Sequence, residues 1–347
     1  MTARNKTLRN ASALVEAQLI KPERLDSLQN VASRYAVAIT PALVDLVDTT
    51  DPRDPIALQF VPDERELKSR ADENDDPIGD EVHTPVRGVV HRYPDRVLLK
   101  LVNACAVYCR FCFRREMVGP GRGALTGKAL TAALEYIRRR PEIWEVILTG
   151  GDPLLLPPRR LKDVMTRLAA IEHVKVIRLH TRIPVAAPVR VTAALLRALR
   201  TKKATFMVLH ANHARELTEK ARAACARVID AGVPMLSQSV LLRGVNDDAE
   251  ALGALMRALV ECRIKPYYLH HADLAPGTAH LRTSIVEGQA LMRALHGRYS
   301  GLCQPQYVLD IPGGHGKSPI GPPYLSSDGS QIIDFKGRRH AYPPRGG

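Results

Sequence analysis

Aromatic residues are scarce in this chain of 347 residues: Phe, Trp and Tyr together make up 5%, with a single Trp. Packing must therefore rest on Leu, Val, Ile and Ala, and a hydrophobic content of 45% is ample for one large α/β unit. No apolar run approaches the roughly 20 residues of a membrane helix, which argues against a membrane protein. No secretory signal is visible, and the six cysteines are a tight triplet plus Cys225, Cys262 and Cys303. A disulfide framework is therefore not expected, and a reducing cytoplasmic setting is. No G-x-G-x-x-G opens a helix after the first predicted strand, so a dinucleotide-binding fold is unsupported. Acidic residues are outnumbered, 36 against 50 basic ones, for a net charge of +14. Much of that excess falls on predicted helix faces, including Arg138, Arg139, Arg159, Arg197 and Lys202. Solvated helix faces explain it better than a nucleic-acid surface, and an acidic protein partner stays open.

Residues 10–50 carry apolar side chains at helical spacing (Leu14, Leu19, Leu25, Leu28, Val31, Ala36). Residues 50–90 are rich in Asp, Glu and Pro and read as irregular. From residue 96, short aliphatic or β-branched runs alternate with amphipathic stretches. Strands are expected at Arg96–Val102, Glu145–Thr149, Val174–Leu179, Thr205–Leu209, Met235–Leu241 and Lys265–Leu269. Helices are expected near 126–140, 159–171, 192–200, 214–231, 247–262 and 284–298. Six βα units in series predict a parallel sheet. Polar or reactive residues follow nearly every strand, as they do on the C-terminal rim of an αβ barrel. The fold class predicted is α/β, a partial (βα)6 barrel over 91–300. A helical and irregular N-terminal region (1–90) and a C-terminal segment (301–347) flank it.

The stretch NACAVYCRFCFRRE, residues 103–116, organises the rest. Its cysteines, Cys105, Cys109 and Cys112, have the spacing C-x3-C-x2-C. Three thiolates from one loop can hold three corners of a [4Fe–4S] cube and leave the fourth iron open. A zinc knuckle would want four ligands, usually in two separated pairs. After the second strand, Gly150, Gly151 and Asp152 form a turn that lets backbone approach a ligand closely and offers one anionic acceptor. Arg92 and Arg96 flank Tyr93 and can bind a phosphate through charge-assisted bonds. The stretch IPGGHGKSP at 311–319 is not a Walker A loop, because Ile311 stands where its first Gly would be. It reads as a flexible glycine loop presenting the amine of Lys317, which can bond an aldehyde cofactor. Asp273 and Asp310 can jointly hold an ammonium group, whose buried charge must be paired.

The cysteine motif, with Phe111 just before its last Cys, resembles the radical S-adenosylmethionine (SAM) superfamily. The run CRFCFRR at 109–115 narrows the resemblance to the lysine 2,3-aminomutase family, from about Asp54 to about Pro322. The resemblance implies a cluster on Cys105, Cys109 and Cys112 whose open iron chelates SAM. It implies SAM contacts from Gly150, Gly151, Asp152, His210 and Gln238. It places pyridoxal 5′-phosphate (PLP) on Lys317 with Arg92, Tyr93 and Arg96 around it, Asp273 and Asp310 on the ε-ammonium of L-lysine, and Arg114 on its carboxylate. The implied activity is that of an isomerase, interconverting L-lysine and β-lysine by 1,2-amino migration. The implied electron donor is a flavodoxin- or ferredoxin-type protein. His270 stands where clostridial-type members carry Tyr, and no Cys follows Cys303, so neither a zinc site nor that group's tetramer is expected; another homo-oligomer remains open. His270 is shared with the enzymes that serve elongation factor P, which makes that factor a second candidate partner. A radical SAM enzyme modifying RNA is the alternative from another class, and would leave Lys317 and Asp310 without a task.

Overall fold

The computed structural model describes residues 5–121 and 123–343. One nine-stranded sheet orders its strands as the chain does. They are β1 (Val89–Tyr93), β2 (Arg96–Val102), β3 (Glu145–Gly150), β4 (Val176–Thr181), β5 (Ala204–His210), β6 (Met235–Val240), β7 (Ile264–His270), β8 (Gln306–Ile311) and β9 (Gly316–Pro319). Strands β2 to β8 run parallel, and β1 and β9 pair antiparallel at the two edges. The helices Gly127–Arg138, Pro158–Ala169, Ala193–Leu199, Glu219–Asp230, Ala249–Glu261 and Ile285–Leu295 lie in the connections. Their apolar stripes (Leu130, Leu134 and Ile137 in the first; Leu252, Leu255 and Leu259 in the fifth) join the buried strand residues Val146, Leu148, Ile177, Leu179, Met207 and Leu209 in one core.

The six expected βα units are present, and the sheet extends past both ends of them. The additional strands have weak signals. β1 is five residues with the polar end His-Arg-Tyr, and β9 holds a Gly and a Pro, which only an edge strand tolerates. The sheet therefore continues beyond residue 300, through Pro319. Lys317 consequently sits on a strand, not in a loose loop. Its loop, residues 312–315, is a tight turn with Gly313 at φ 82° and Gly314 at φ 85°.

The N-terminal region folds as short helices, Ala11–Glu16, Leu25–Arg34 and Pro41–Val44, instead of long ones. Gln18, at φ 58°, ends the first, and Pro41 opens the third at its first turn. These pieces share their own core, which takes in Val107 and Cys109 of the cysteine loop. No helix among the described residues is long and apolar enough to cross a membrane.

Candidate active site

A cavity of about 730 Å3 occupies the barrel, lined from the N-terminal ends of the strands (Glu145, Val176) to their C-terminal ends (Gly150, His210, His270). Cys105, Cys109 and Cys112 line it, and so do Asp273, Asp310 and Lys317. So do Arg92, Tyr93, Arg96, Arg114, Gly150, Gly151, Asp152, His210 and Gln238, so the structure brings together every residue singled out in the sequence.

The cysteine loop is anchored from outside by buried ion pairs. Glu66, fully buried, accepts from Arg110 (Nη2–Oε2 2.6 Å) and also pairs with Arg115. Arg110 Nη1 donates to the Ala36 carbonyl (2.9 Å), its backbone N–H to the Gln59 carbonyl (2.8 Å), and Arg115 Nη1 to the Pro276 carbonyl (3.1 Å). The short helix Pro55–Phe60 that carries Gln59 is capped by Asp54, whose carboxylate accepts from Ile56 and Ala57 N–H groups and pairs with Arg215. The 51–62 stretch is thus a strap that fixes the cysteine loop to the barrel.

On the inner side, Gly151 lies so close to the loop that a Cβ there would sit 2.1 Å from the Ala104 carbonyl oxygen. Gly150, at φ 114°, has Val102 O 2.2 Å from the equivalent position. The Asp152 N–H donates to Ala104 O (2.9 Å). The Asp152 carboxylate accepts from Leu154 N–H (3.0 Å), Arg182 N–H (2.8 Å) and the Thr181 hydroxyl (2.8 and 2.9 Å). It caps the turn and ties β3 to β4. Gln238 and His210 are register partners on β6 and β5. His210 Nε2 is buried without a partner, and its ring meets Phe111 edge-on at 5.7 Å.

Burial raises all three cysteine thiols, Cys109 to about 11 and Cys105 well above its ordinary value. Bare thiolates are therefore disfavoured here, and a positively charged iron centre is what would stabilise them. Among the described residues no group of His, Cys, Asp or Glu is placed to hold a single metal ion. A cube takes one thiolate per iron, so its ligands need not converge on one point. The unpartnered His210 Nε2 and Arg182 Nη2, both at the cavity wall, add polar groups awaiting a ligand. The donor set fits an iron–sulfur cluster with a polar co-ligand beside it.

Also on the cavity wall, Lys317 Nζ lies 2.7 and 2.6 Å from the two oxygens of Asp310. The two residues are register partners across the β8–β9 hairpin, which puts their side chains on one face. Arg92 Nη1 (3.7 Å) and His270 Nδ1 (3.5 Å) also approach Asp310. Burial would raise this carboxyl, but His270 and Lys317 outweigh it and hold it well below the usual range. Asp273 is the opposite: burial and then the Asp310 charge push it up to about 7. The Lys317 N–H donates to the Tyr93 hydroxyl (2.6 Å), and the Arg96 guanidinium stacks 3.8 Å from the Tyr93 ring centre. These contacts bridge the seam between β1 and β9.

Sequence reasoning missed Asp80. It is fully buried and gathers three cations: Arg114 Nε at 2.9 Å, Arg92 Nη2 at 3.4 Å and Lys100 Nζ at 3.7 Å. Burial works against its charge, but Arg114, Lys100 and Arg92 together carry it below its ordinary value. Arg92, expected beside a phosphate, also donates to the Ile78 carbonyl (2.6 Å), and its Nε is buried and unpartnered. The strap of residues 76–83 runs along the β8–β9 turn. Gly79 abuts Gly314, and His83 Nε2 lies 2.9 Å from Gly314 O. The cluster of three cations on one anion leaves a net positive wall suited to an anionic ligand.

A barrel with an open-cornered thiol triplet on its rim defines a radical SAM enzyme, and the Radical SAM superfamily pattern matches residues 99–255. The L-lysine 2,3-aminomutase of Acetoanaerobium sticklandii is 40% identical over 321 residues, covering 92% of this chain and 78% of that one. That of Clostridium subterminale is 40% identical over 309 residues, covering 89% and 74%. The glutamate 2,3-aminomutase of Clostridioides difficile is 36% identical over 315 residues, covering 91% and 74%. The chain belongs to the radical SAM 2,3-aminomutase family, whose members are isomerases. The family works with a [4Fe–4S] cluster, SAM and PLP.

Proposed function

We propose that this chain is a PLP-dependent L-lysine 2,3-aminomutase. The observation that carries the reading is the shared cavity, with the three cysteines and the Lys317 amine on one wall system. When bound, the cluster supplies an electron, SAM a carbon radical, and PLP a conjugated ring to which the migrating nitrogen is attached.

The chain's own residues have these tasks in the proposal. Cys105, Cys109 and Cys112 hold the cluster, and the Gly150–Gly151 backbone, His210 and Gln238 seat SAM. Lys317 retains PLP, with Arg92, Tyr93 and Arg96 near its phosphate. Arg114 orients the substrate carboxylate. Asp310 already holds one ammonium, that of Lys317. With the Lys317 amine engaged elsewhere, Asp310 and Asp273 can hold the substrate's side-chain ammonium. Asp273, with its carboxyl at about 7, gives up its proton as that cation arrives. The barrel wall keeps bulk water from the reacting carbons.

Two carboxylates at this end favour lysine over glutamate, whose side chain would add a third negative charge. An RNA substrate would leave Asp310 and Lys317 idle. His270, which the resemblance shares with the enzymes that serve elongation factor P, favours a second biological use, supply of β-lysine for that factor, through the same reaction. The reading is tested by anaerobic incubation with SAM, PLP and dithionite, giving lysine to one sample and glutamate to another. β-Lysine in the first alone supports it; β-glutamate in the second, or no product with all cofactors loaded, removes it.

A further inference from the structure

Barrel enzymes are usually entered at the C-terminal ends of their strands. Here the cysteine loop lies over that end, packed on the N-terminal helices through Val107 and Cys109. The cavity residues at the strand tops are buried, as are Asp152, Thr181, Arg182 and Asp310, or half-buried, as are His210 and His270. Four residues that line the cavity are exposed, and all four lie at the opposite end. Asp95 is in the β1–β2 turn, Trp144 precedes β3, Gln306 begins β8, and Pro319 ends the antiparallel β9. Backbone bonds stitch this rim together: the Trp144 N–H donates to Asp95 O (2.8 Å), and the Lys175 N–H to Trp144 O (2.9 Å). At the rim, Arg96 Nη1 bonds Asp95 (2.6 Å). Just inside it, Arg178 Nη2 donates to Glu145 (3.0 Å), and the Tyr267 hydroxyl donates to that of Tyr268 (2.8 Å). Each cation here has an acid beside it. A polyanion gains no net attraction from such a mouth, whereas an amino acid, carrying both signs, can exchange partners with either pair.

We propose that the N-terminal end of the barrel, ringed by Asp95, Trp144, Gln306 and Pro319, is the entrance through which PLP is loaded and the free amino acid reaches Lys317. It rests on the PLP-dependent aminomutase reading. A barrel of about eight strands has an interior that holds side chains or one small ligand. A lysine within a folded protein, or a base within an RNA, does not reach Lys317 by this route. The substrate is the free amino acid, and any partner that uses β-lysine receives it after release. The path from the mouth passes Arg178–Glu145 and Tyr267–Tyr268 before Lys317 and Asp310; no bond to the ligand forms along it.

The test places a plug in the mouth after folding. Gln306→Cys, loaded with its cluster, is capped anaerobically with fluorescein maleimide, or with methyl methanethiosulfonate as a small cap, and single addition is checked by mass spectrometry. Two rates are followed in stopped flow: the rise of yellow absorbance on adding PLP, and its shift when lysine is mixed with protein that was loaded with PLP before capping. With the bulky cap both are expected to slow about tenfold or more, and with the small cap to stay near those of the wild type. Unchanged rates under the bulky cap would overturn the proposal. So would equal slowing by the two caps, which marks a disturbed fold and not an obstructed path. A wild type that takes up no PLP, or whose absorbance ignores lysine, would instead strike the aminomutase reading, and the entrance with it.

Discussion

Lys317 and Asp310 face each other across the β8–β9 hairpin, the amine within 2.7 Å of both carboxylate oxygens. The pairing makes Asp310 a ready-made ammonium site that Lys317 occupies at rest. Replacing Lys317 by Ala should abolish retention of PLP, read as loss of the yellow absorbance after gel filtration. Iron and sulfide content should not change, because the Lys317 side chain bonds to Asp310 and not to the cysteine loop.

Asp273 sets a pH dependence. Its carboxyl is raised to about 7, so it is neutral below that pH and an anion above it. A substrate cation needs the anion. The KM for lysine should therefore fall as pH rises through about 7, and level off above. In D273N the profile should lose this limb, and KM at pH 8 should rise roughly 30-fold or more, the cost of removing one partner of a buried charge pair.

Asp80 is the counter-charge for Arg92, Lys100 and Arg114. In D80N three cations, Arg114 buried and Arg92 and Lys100 half-buried, face one another without it. A loss of about 3 kcal/mol in stability is expected by chemical denaturation, in line with breaking a buried ion pair.

Gly151 has no room for a side chain against Ala104. G151A should force the β3 turn away from the cysteine loop. Equilibrium dialysis should show SAM affinity reduced by about tenfold or more, since roughly 1.4 kcal/mol of displacement strain suffices for that.

The parallel strands β2 to β7 were legible because each is an aliphatic run followed by an amphipathic helix, as in Glu145–Gly150 and then Pro158–Ala169; β8, parallel as well, was not, because no helix follows it. The residues after them could be gathered on one rim for the same reason. The edges were not legible. β1 and β9 carry few apolar residues, and β9 becomes a strand through pairing with β8, not through its own propensity. Asp80 was hidden in a stretch of acids and prolines where every carboxylate looks alike. Only the fold shows that this one is buried while Asp72, nearby, is exposed. Asp54 and Glu66 are the same case: their partners, Arg215, Arg110 and Arg115, are 161, 44 and 49 residues away in sequence.

The single cavity shared by the thiol triplet and Lys317 is tested most directly with lysine deuterated at C3. After anaerobic turnover with SAM and PLP, the 5′-deoxyadenosine and recovered SAM are examined by mass spectrometry. Deuterium in the adenosyl group is predicted, because the carbon radical and the substrate carbon meet inside one chamber. Deoxyadenosine formed in quantity but free of deuterium, with lysine bound, would contradict it.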